Sequence, residues 1–450
     1  MQQAGGILLE QGKHTVQSRW FAGKSREKLR TVSGGGSNRD YSSSALDSQA
    51  ILLLAVQALL GTANALSGTF LPVYLWKASQ SFALIGWFNF TQFIVSGLTF
   101  WLAGKWVKEH NKMNSLRLGV ALSGVFYFVV LMLGKSAISY VVPLGVLIGI
   151  GNGCFWLAFN VVYFEITEPG NRDRFNGWAG LLGSGAGIIA PWISGWLITT
   201  NSGERGYSII FTVSSIIFAV AVVLSFWLKK RETSGKYEWF QGLRVLKERG
   251  NPWRYAVPSI VSQGVREGVF MFLIGLLVYI ATKNEGKLGN FSLITSLVAL
   301  VSFWLIGRMM KPNRRSMAML IGAVAITAVV GVLFWPISYR TLLLFGLGTA
   351  LFMPLYIIPM TSAVFDLIGS DEDSARQREE YVILREAGLT VGRIIGVTSY
   401  LLILPYINRS PYIVPTLMLI VGAFPVVGWW LMRSVLRRVN ANHERASSRG

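Results

Sequence analysis

Long apolar runs separated by short polar segments fill the chain from about residue 50 onward. Each run supplies the roughly 20 residues that an α-helix needs to cross the hydrocarbon core of a bilayer. The runs are continuous rather than short and alternating, which favours membrane helices over strands of a barrel. The pattern predicts twelve spans, at residues 50–73, 82–104, 114–134, 139–163, 176–200, 207–228, 254–281, 289–308, 316–336, 341–365, 380–404 and 411–433.

The pattern also repeats six spans apart. Residues 100–105 (FWLAGK) and 303–308 (FWLIGR) are related by a shift of 203 positions. Further correspondences, in the same order along both halves, pair Gly61 with Gly264, Lys112 with Arg315, Gly119 with Gly322, Phe164-Glu165 with Phe365-Asp366 and Ala179-Gly180-Leu181 with Ala387-Gly388-Leu389. We therefore expect an all-α membrane protein of two six-helix bundles, at 49–228 and 254–436, with a linker at 229–253 and tails at 1–48 and 437–450. The tail at 1–48 is polar, basic and rich in glycine and serine, and is predicted to be disordered.

The composition also indicates a membrane protein, because 52% of the residues are hydrophobic and only 14% are charged. The net charge of +20 is explained by its placement. Of the 42 Lys and Arg residues, 32 fall on the side that holds both tails and 7 on the other side. Basic loops stay in the cytoplasm, so both termini are predicted to be cytoplasmic and no nucleic acid is implied.

Few residues here could support an enzyme. The three histidines, His14, His110 and His443, lie in polar segments, and Cys154 is the single cysteine. These observations exclude an intramolecular disulfide and argue against intramembrane histidine chemistry, so no enzyme, metal or cofactor is expected. No Walker loop occurs, which leaves an ion gradient as the energy source.

Charged residues inside two spans are the strongest candidates for function, since an ionisable side chain in a membrane needs a partner or a watery cavity. In span 7, Gln263, Arg266 and Glu267 share one helix face; in span 11, Arg385, Glu386 and Arg393 are expected to face them. Two carboxylates against three guanidinium groups leave one positive charge. Three interpretations stay open: a structural ion-pair network, an arginine that binds an anionic substrate, and a carboxylate at Glu267 or Glu386 that carries a proton.

The first half has neutral polar groups at comparable positions. A shift of 203 positions makes Asn64 the counterpart of Glu267 in the first half of the repeat. Gln57 is a further amide, and both could line a central cavity. Hydrogen bonding between helices is the alternative role for both. The glycines of Gly149-x-Gly151-x-Gly153 lie within a span, so close helix packing is expected rather than a nucleotide-binding loop.

Parallel six-helix repeats around a cytoplasmic linker resemble the major facilitator superfamily (MFS) of transporters. The turns after spans 2 and 8, Leu102-Ala103-Gly104-Lys105 and Leu305-Ile306-Gly307-Arg308, resemble the family's signature, except that Gly104 and Gly307 stand where the family usually has aspartate. In span 5, Ala186-x-x-x-Ala190-Pro191-x-x-Ser194-Gly195 resembles the family's antiporter motif.

The resemblance implies alternating access, with cytoplasmic gate contacts that break and reform. It suggests Lys105 or Lys108 as the partner of Glu165, and Arg308 or Lys311 as the partner of Asp366; the alternative is that both carboxylates are simply exposed. Prolines at 191, 354 and 359 are expected to kink their helices and let the bundles rock.

The sequence thus predicts a secondary transporter of the bacterial cytoplasmic membrane that exports a small or amphipathic solute against protons and works as a monomer. The alternatives are a uniporter or lipid-linked flippase, and a membrane scaffold or sensor that kept the fold but moves no solute.

Overall fold

The structure, a computed structural model, describes residues 46–166, 172–201, 204–230, 235–368 and 377–447. Twelve long helices account for most of the described residues. They are α1 Ser48–Gly68, α2 Phe82–Glu109, α3 Lys112–Leu133, α4 Val141–Ile166, α5 Arg172–Thr200, α6 Glu204–Ser225, α7 Trp253–Thr282, α8 Glu285–Met309, α9 Arg315–Val330, α10 Tyr339–Ile368, α11 Arg378–Ile403 and α12 Ile413–Ser447. A short helix, Leu71–Ser79, continues α1, and another, Gln241–Lys247, lies in the linker.

The prediction of twelve membrane helices is confirmed. Eleven stretches of the described chain are long and apolar enough to cross a membrane, and one of them, Lys112–Tyr163, contains two consecutive helices. The main difference lies at the C-terminal end: α12 continues to Ser447, where the sequence predicted a span ending at 433 and a tail from 437. Nearly all of the predicted basic tail at 1–48 lies outside the described residues.

Local polar residues set where several helices begin and end. The side chains of Ser81, Asn111 and Asn284 accept hydrogen bonds from the first backbone N–H groups of α2, α3 and α8. Gln80, after the short helix that extends α1, and Lys283, after α7, both adopt left-handed conformations, with φ of 51° and 50°. These two residues are also 203 positions apart, so the repeat extends to backbone conformation.

Helix packing shows the repeat most clearly. Within the first half, α1 packs on α5 and α6, α3 on α4 and α6, and α2 on α4. Each of these pairs has its counterpart six helices later: α7 packs on α11 and α12, α9 on α10 and α12, and α8 on α10. The two halves meet through α2 against α11 and α5 against α8, which are also equivalent pairs.

Glycines allow the closest of these approaches in the first half. A Cβ atom added to Gly149 would lie 2.9 Å from the backbone oxygen of Gln92, and one added to Gly153 would lie 2.6 Å from Cβ of Thr99. The predicted packing role of these glycines is therefore confirmed, and it fixes α4 against α2.

Candidate functional site

An ion pair with a buried carboxylate joins the middle of α7 to the middle of α11. Nε and Nη2 of Arg393 lie 3.1 and 2.9 Å from Oε2 of Glu267, and Nε2 of Gln263 donates to Oε1 of the same carboxylate at 2.7 Å. The Glu267 side chain is 3% exposed. Both of its oxygens therefore accept a hydrogen bond, one from a guanidinium and one from an amide.

Glycines on both helices place this ion pair. Gly264 and Gly268 of α7 face Gly392 and Gly396 of α11 so closely that their backbones touch. A Cβ atom added to Gly264 would lie 3.0 Å from Cα of Gly392, and one added to Gly392 would lie 2.7 Å from Cα of Gly264. The four-residue spacing of these glycines is visible in the sequence and is a signal of close helix approach.

Arg266 takes a different direction from Glu267. Its guanidinium carbon lies 4.4 Å from the ring centroid of Phe270, and Nη1 lies 3.7 Å from the sulfur of Met353 on α10. Its Nε and Nη2 atoms are buried and have no hydrogen-bond partner among the described residues. The predicted network of five charges therefore forms only in part.

The remaining two predicted members, Arg385 and Glu386, pair with each other. Their Nη1 and Oε1 atoms are 2.6 Å apart, about two turns closer to the start of α11 than Arg393. Because Glu267 is matched by Arg393 and Glu386 by Arg385, the surplus positive charge that the sequence predicted belongs to Arg266.

The two amides of the first half do not join these charges in any contact between described residues. Asn64 accepts a hydrogen bond from the hydroxyl of Tyr127 on α3 at 3.4 Å, and Oε1 of Gln57 is buried without a partner. The contact of Asn64 agrees with the interhelical alternative, while the role of Gln57 stays a prediction.

We call the side of the molecule where α1 begins and α12 ends the terminal face. There, Nζ of Lys108 on α2 lies 2.7 and 2.8 Å from the two carboxylate oxygens of Glu380 on α11, and 3.8 Å from Glu379. All three side chains are buried. This ion pair links the two halves, so it closes the terminal face between α2 and α11.

The linker completes this closure. The backbone N–H of Glu238 donates to Glu380 at 3.1 Å, and the hydroxyl of Tyr237 donates to the carbonyl oxygen of Trp101 at 3.3 Å. Burial, with a smaller effect of nearby Glu380, raises the pKa of Tyr237, so its O–H remains a donor. A Cβ atom on Gly104 would lie 2.7 Å from this phenol ring, which explains why an aspartate is not accommodated there.

On the opposite face, a second ion pair links the halves. Nζ of Lys77, in the short helix after α1, lies 2.9 Å from Oε1 of Glu285 at the start of α8, and the hydroxyl of Tyr207 donates to the same oxygen at 3.1 Å. Nearby, Gly195 of the predicted antiporter motif packs against α8: an added Cβ would lie 3.1 Å from Cα of Gly289. Both faces are therefore bridged in this conformation.

The gate partners expected for Glu165 and Asp366 need correction. Glu165 is paired with Lys112, and Asp366 lies 2.7 Å from Arg315. Each pair joins neighbouring helices of one half, α3 with α4 and α9 with α10, so neither pair has to break when the halves separate. Sequence periodicity could not reveal this, because it does not say which helices are neighbours. The other predicted partners, Lys105, Arg308 and Lys311, are exposed.

The ion pair between Lys108 and Glu380 at the terminal face gives the first testable prediction. Glu380→Gln removes a buried carboxylate and leaves Lys108 with only the more distant Glu379, so conformations open at the terminal face should become more populated. Spin labels on cysteines at exposed positions 105 and 311, in a Cys154→Ser background, should then show a longer mean separation by double electron–electron resonance. Glu285→Gln, which breaks the bridge on the other face, is the matched control, and an equal lengthening in it would contradict the assignment.

Comparison with known proteins is consistent with this architecture. The family model described as Major Facilitator Superfamily matches residues 53–372. A protein named YqgE of Bacillus subtilis (strain 168) is 38% identical over 362 residues, covering 80% of this chain and 84% of that protein. A protein of Geobacillus stearothermophilus, described by its place in the sodM 3′ region, is 42% identical over 161 residues, 36% of this chain and 75% of its own length.

Solved structures show the same fold. A bacterial homologue of the iron transporter ferroportin, in an outward-facing state, aligns with a TM-score of 0.62 at 14% identity, covering 86% of this chain and 99% of that one. The E. coli fucose:proton symporter FucP aligns with a TM-score of 0.56 at 18% identity, covering 86% and 97%. Given the family match, the twelve helices and the repeated packing, this chain is a multi-pass membrane transporter that belongs to the Major Facilitator Superfamily.

Proposed function

We propose that this transporter exports a small or amphipathic solute in exchange for protons, and that Glu267 carries the proton. The observation that supports this most directly is a carboxylate halfway along α7, 3% exposed, whose charge is matched by an arginine on another helix. Intramembrane carboxylates of this kind mark proton relays in transporters.

Protonation would change the contacts of Glu267 in a defined way. A neutral carboxyl group no longer holds Arg393 by charge, so the guanidinium is free to form other contacts, while Gln263 can still donate to the carbonyl oxygen. Proton binding and release would thus alter how α7 is held against α11.

The ion pairs that join the two halves at each face can account for alternating access. Lys108–Glu380 has to break for the terminal face to open, and Lys77–Glu285 has to break for the opposite face to open. We infer that the cycle opens one bridge while the other stays closed, as alternating access requires.

We further infer that the protein works as a monomer in the cytoplasmic membrane of a bacterium, with the terminal face toward the cytoplasm. The excess of Lys and Arg on that side, 32 against 7, supports the orientation. A C-terminal green fluorescent protein fusion would then fluoresce, whereas a C-terminal alkaline phosphatase fusion would be inactive.

Glu267→Gln tests the coupling. A panel of metabolites and drugs is first screened for a transported solute. In liposomes that contain a pH-sensitive dye, a gradient of that solute should then drive proton movement through the wild-type protein. Glu267→Gln should keep solute exchange between the two sides but lose solute-driven proton movement at least about tenfold, because the amide cannot take up a proton.

The matched control is Glu204→Gln, which removes an exposed carboxylate paired with Lys135. It should leave proton movement unchanged. Retention of full proton coupling in Glu267→Gln would overturn the role of this residue, and solute flux without any proton movement in the wild type would indicate a uniporter.

A further inference from the structure

Arg266 is a buried positive charge without a hydrogen-bonded counter-charge. The residue is 4% exposed, and among the described residues its only hydrogen-bond acceptor is the thioether sulfur of Met353, 3.7 Å from Nη1. Its Nε and Nη2 atoms have no acceptor. A guanidinium in this position is costly to bury, so the fold alone does not account for it.

The facing helix adds two more hydroxyl groups without partners. Tyr356 is fully buried and Thr349 is half-buried, and the hydroxyl oxygen of each lacks a hydrogen-bond partner in the part of the chain that the structure describes. Thr349, Met353 and Tyr356 are spaced by four and three residues, so they share one face of α10. Met353 contacts Arg266, and Tyr356 follows three residues later on the same face of α10. Several hydrogen-bond donors on α7 and α10 are thus left unsatisfied in one region.

The side chains that touch the guanidinium are apolar, and the charged Glu267 is the adjacent residue of α7. Phe270 lies under the guanidinium, and its ring centroid is 5.8 Å from that of Phe345 on α10. Nε and Nη2 form one edge of a guanidinium, which is suited to bind both oxygens of a carboxylate side by side. Arg393 already uses this same edge to hold Glu267.

We propose that Arg266, with Tyr356 and Thr349, binds the anionic head of an organic monoanion whose apolar body packs on Phe270 and Met353. This site deepens the proposed transport function and rests on it, since it names the class of solute that is carried. A monoanion would neutralise the positive charge left unmatched among the five predicted intramembrane charges. Its export would also be favoured by a membrane potential that is negative inside.

Binding can be measured on the purified full chain in detergent. The probes are benzoate and 4-phenylbutyrate, with acetate as an anion that lacks the apolar body and benzamide as the neutral equivalent. We expect benzoate or 4-phenylbutyrate to raise the melting temperature, and acetate and benzamide to have little effect. Arg266→Gln should weaken this binding at least about tenfold, the effect of losing a charge-assisted bidentate contact.

Two further variants sharpen the test. Tyr356→Phe should weaken binding several-fold, whereas Arg340→Gln, which changes an exposed arginine at the start of α10, should bind like the wild type. Arg266→Gln without ligand should melt at a higher temperature than the wild type, because an unpaired buried charge has been removed.

Three results would overturn this site: no stabilisation of the wild type by either aromatic anion, equal binding by Arg266→Gln, or a destabilised or misfolded Arg266→Gln protein. The last would mean that the guanidinium supports the fold. The outcome is independent of proton coupling, since binding that depends on Arg266 would stand even if Glu267→Gln retained proton movement.

Discussion

Replacing Gly264 by valine should lower the free energy of unfolding by about 3 kcal/mol or more, because overpacking between two backbones cannot be relieved by rotating a side chain. An added Cβ atom would already lie 3.0 Å from Cα of Gly392 and 3.1 Å from N of Arg393, in addition to its contact with the carbonyl oxygen of Leu389. The valine methyl groups would force α7 away from α11. Fluorescence-detected size-exclusion chromatography after heating should show a large loss of monodisperse protein.

The repeat supplies a matched control for this substitution. Gly61 is the counterpart of Gly264 in α1, and a Cβ atom added there would meet no atom within 4 Å. Gly61→Val should therefore leave the melting temperature nearly unchanged. Equal loss of stability in both variants would show that valine is destabilising at this position in either half. The close contact between α7 and α11 would then not explain the effect at Gly264.

Most of the fold could be predicted from the sequence because each membrane helix corresponds to one long apolar run. Apolar runs of about 20 residues have to form helices in a bilayer, and basic residues indicate which ends share a side. The repeat then predicted two equivalent halves, as the packing confirms. Helix ends were less certain: a polar, basic sequence such as that after residue 433 looks like a tail, yet α12 continues through it to Ser447.

The candidate site was predicted less completely, for a physical reason. Helical periodicity places Arg266 and Glu267 on a common side of α7, but adjacent residues point about 100° apart, and their neighbours are different helices. Glu267 meets α11, and Arg266 meets α10. Similarly, Glu380 lies in the predicted span 11, but nothing in its local sequence indicates that Lys108, 272 residues earlier, is its partner.

The ion pair between Glu267 and Arg393 leads to the second large expected effect. Arg393→Leu should destabilise the protein by about 3–5 kcal/mol, the usual cost of leaving a buried charge without its partner. Gln263 would still donate to the carboxylate, but an amide donor does not balance its charge. The double variant Glu267→Gln/Arg393→Leu should recover most of this loss, since it leaves neither charge behind, and the two substitutions should be strongly non-additive.

The same variants should show that proton coupling can be lost while the protein stays folded. The double variant should be folded but unable to couple solute to proton movement, because both members of the pair are gone. Arg385→Leu/Glu386→Gln is the control on the same helix; it removes both members of an ion pair at once, leaves neither charge behind, and should cost less than Arg393→Leu alone. If Arg393→Leu alone were as stable as the wild type, Glu267 would already be neutral in the folded protein. The ion pair could then not be what a proton opens, and coupling would have to be sought at another carboxylate.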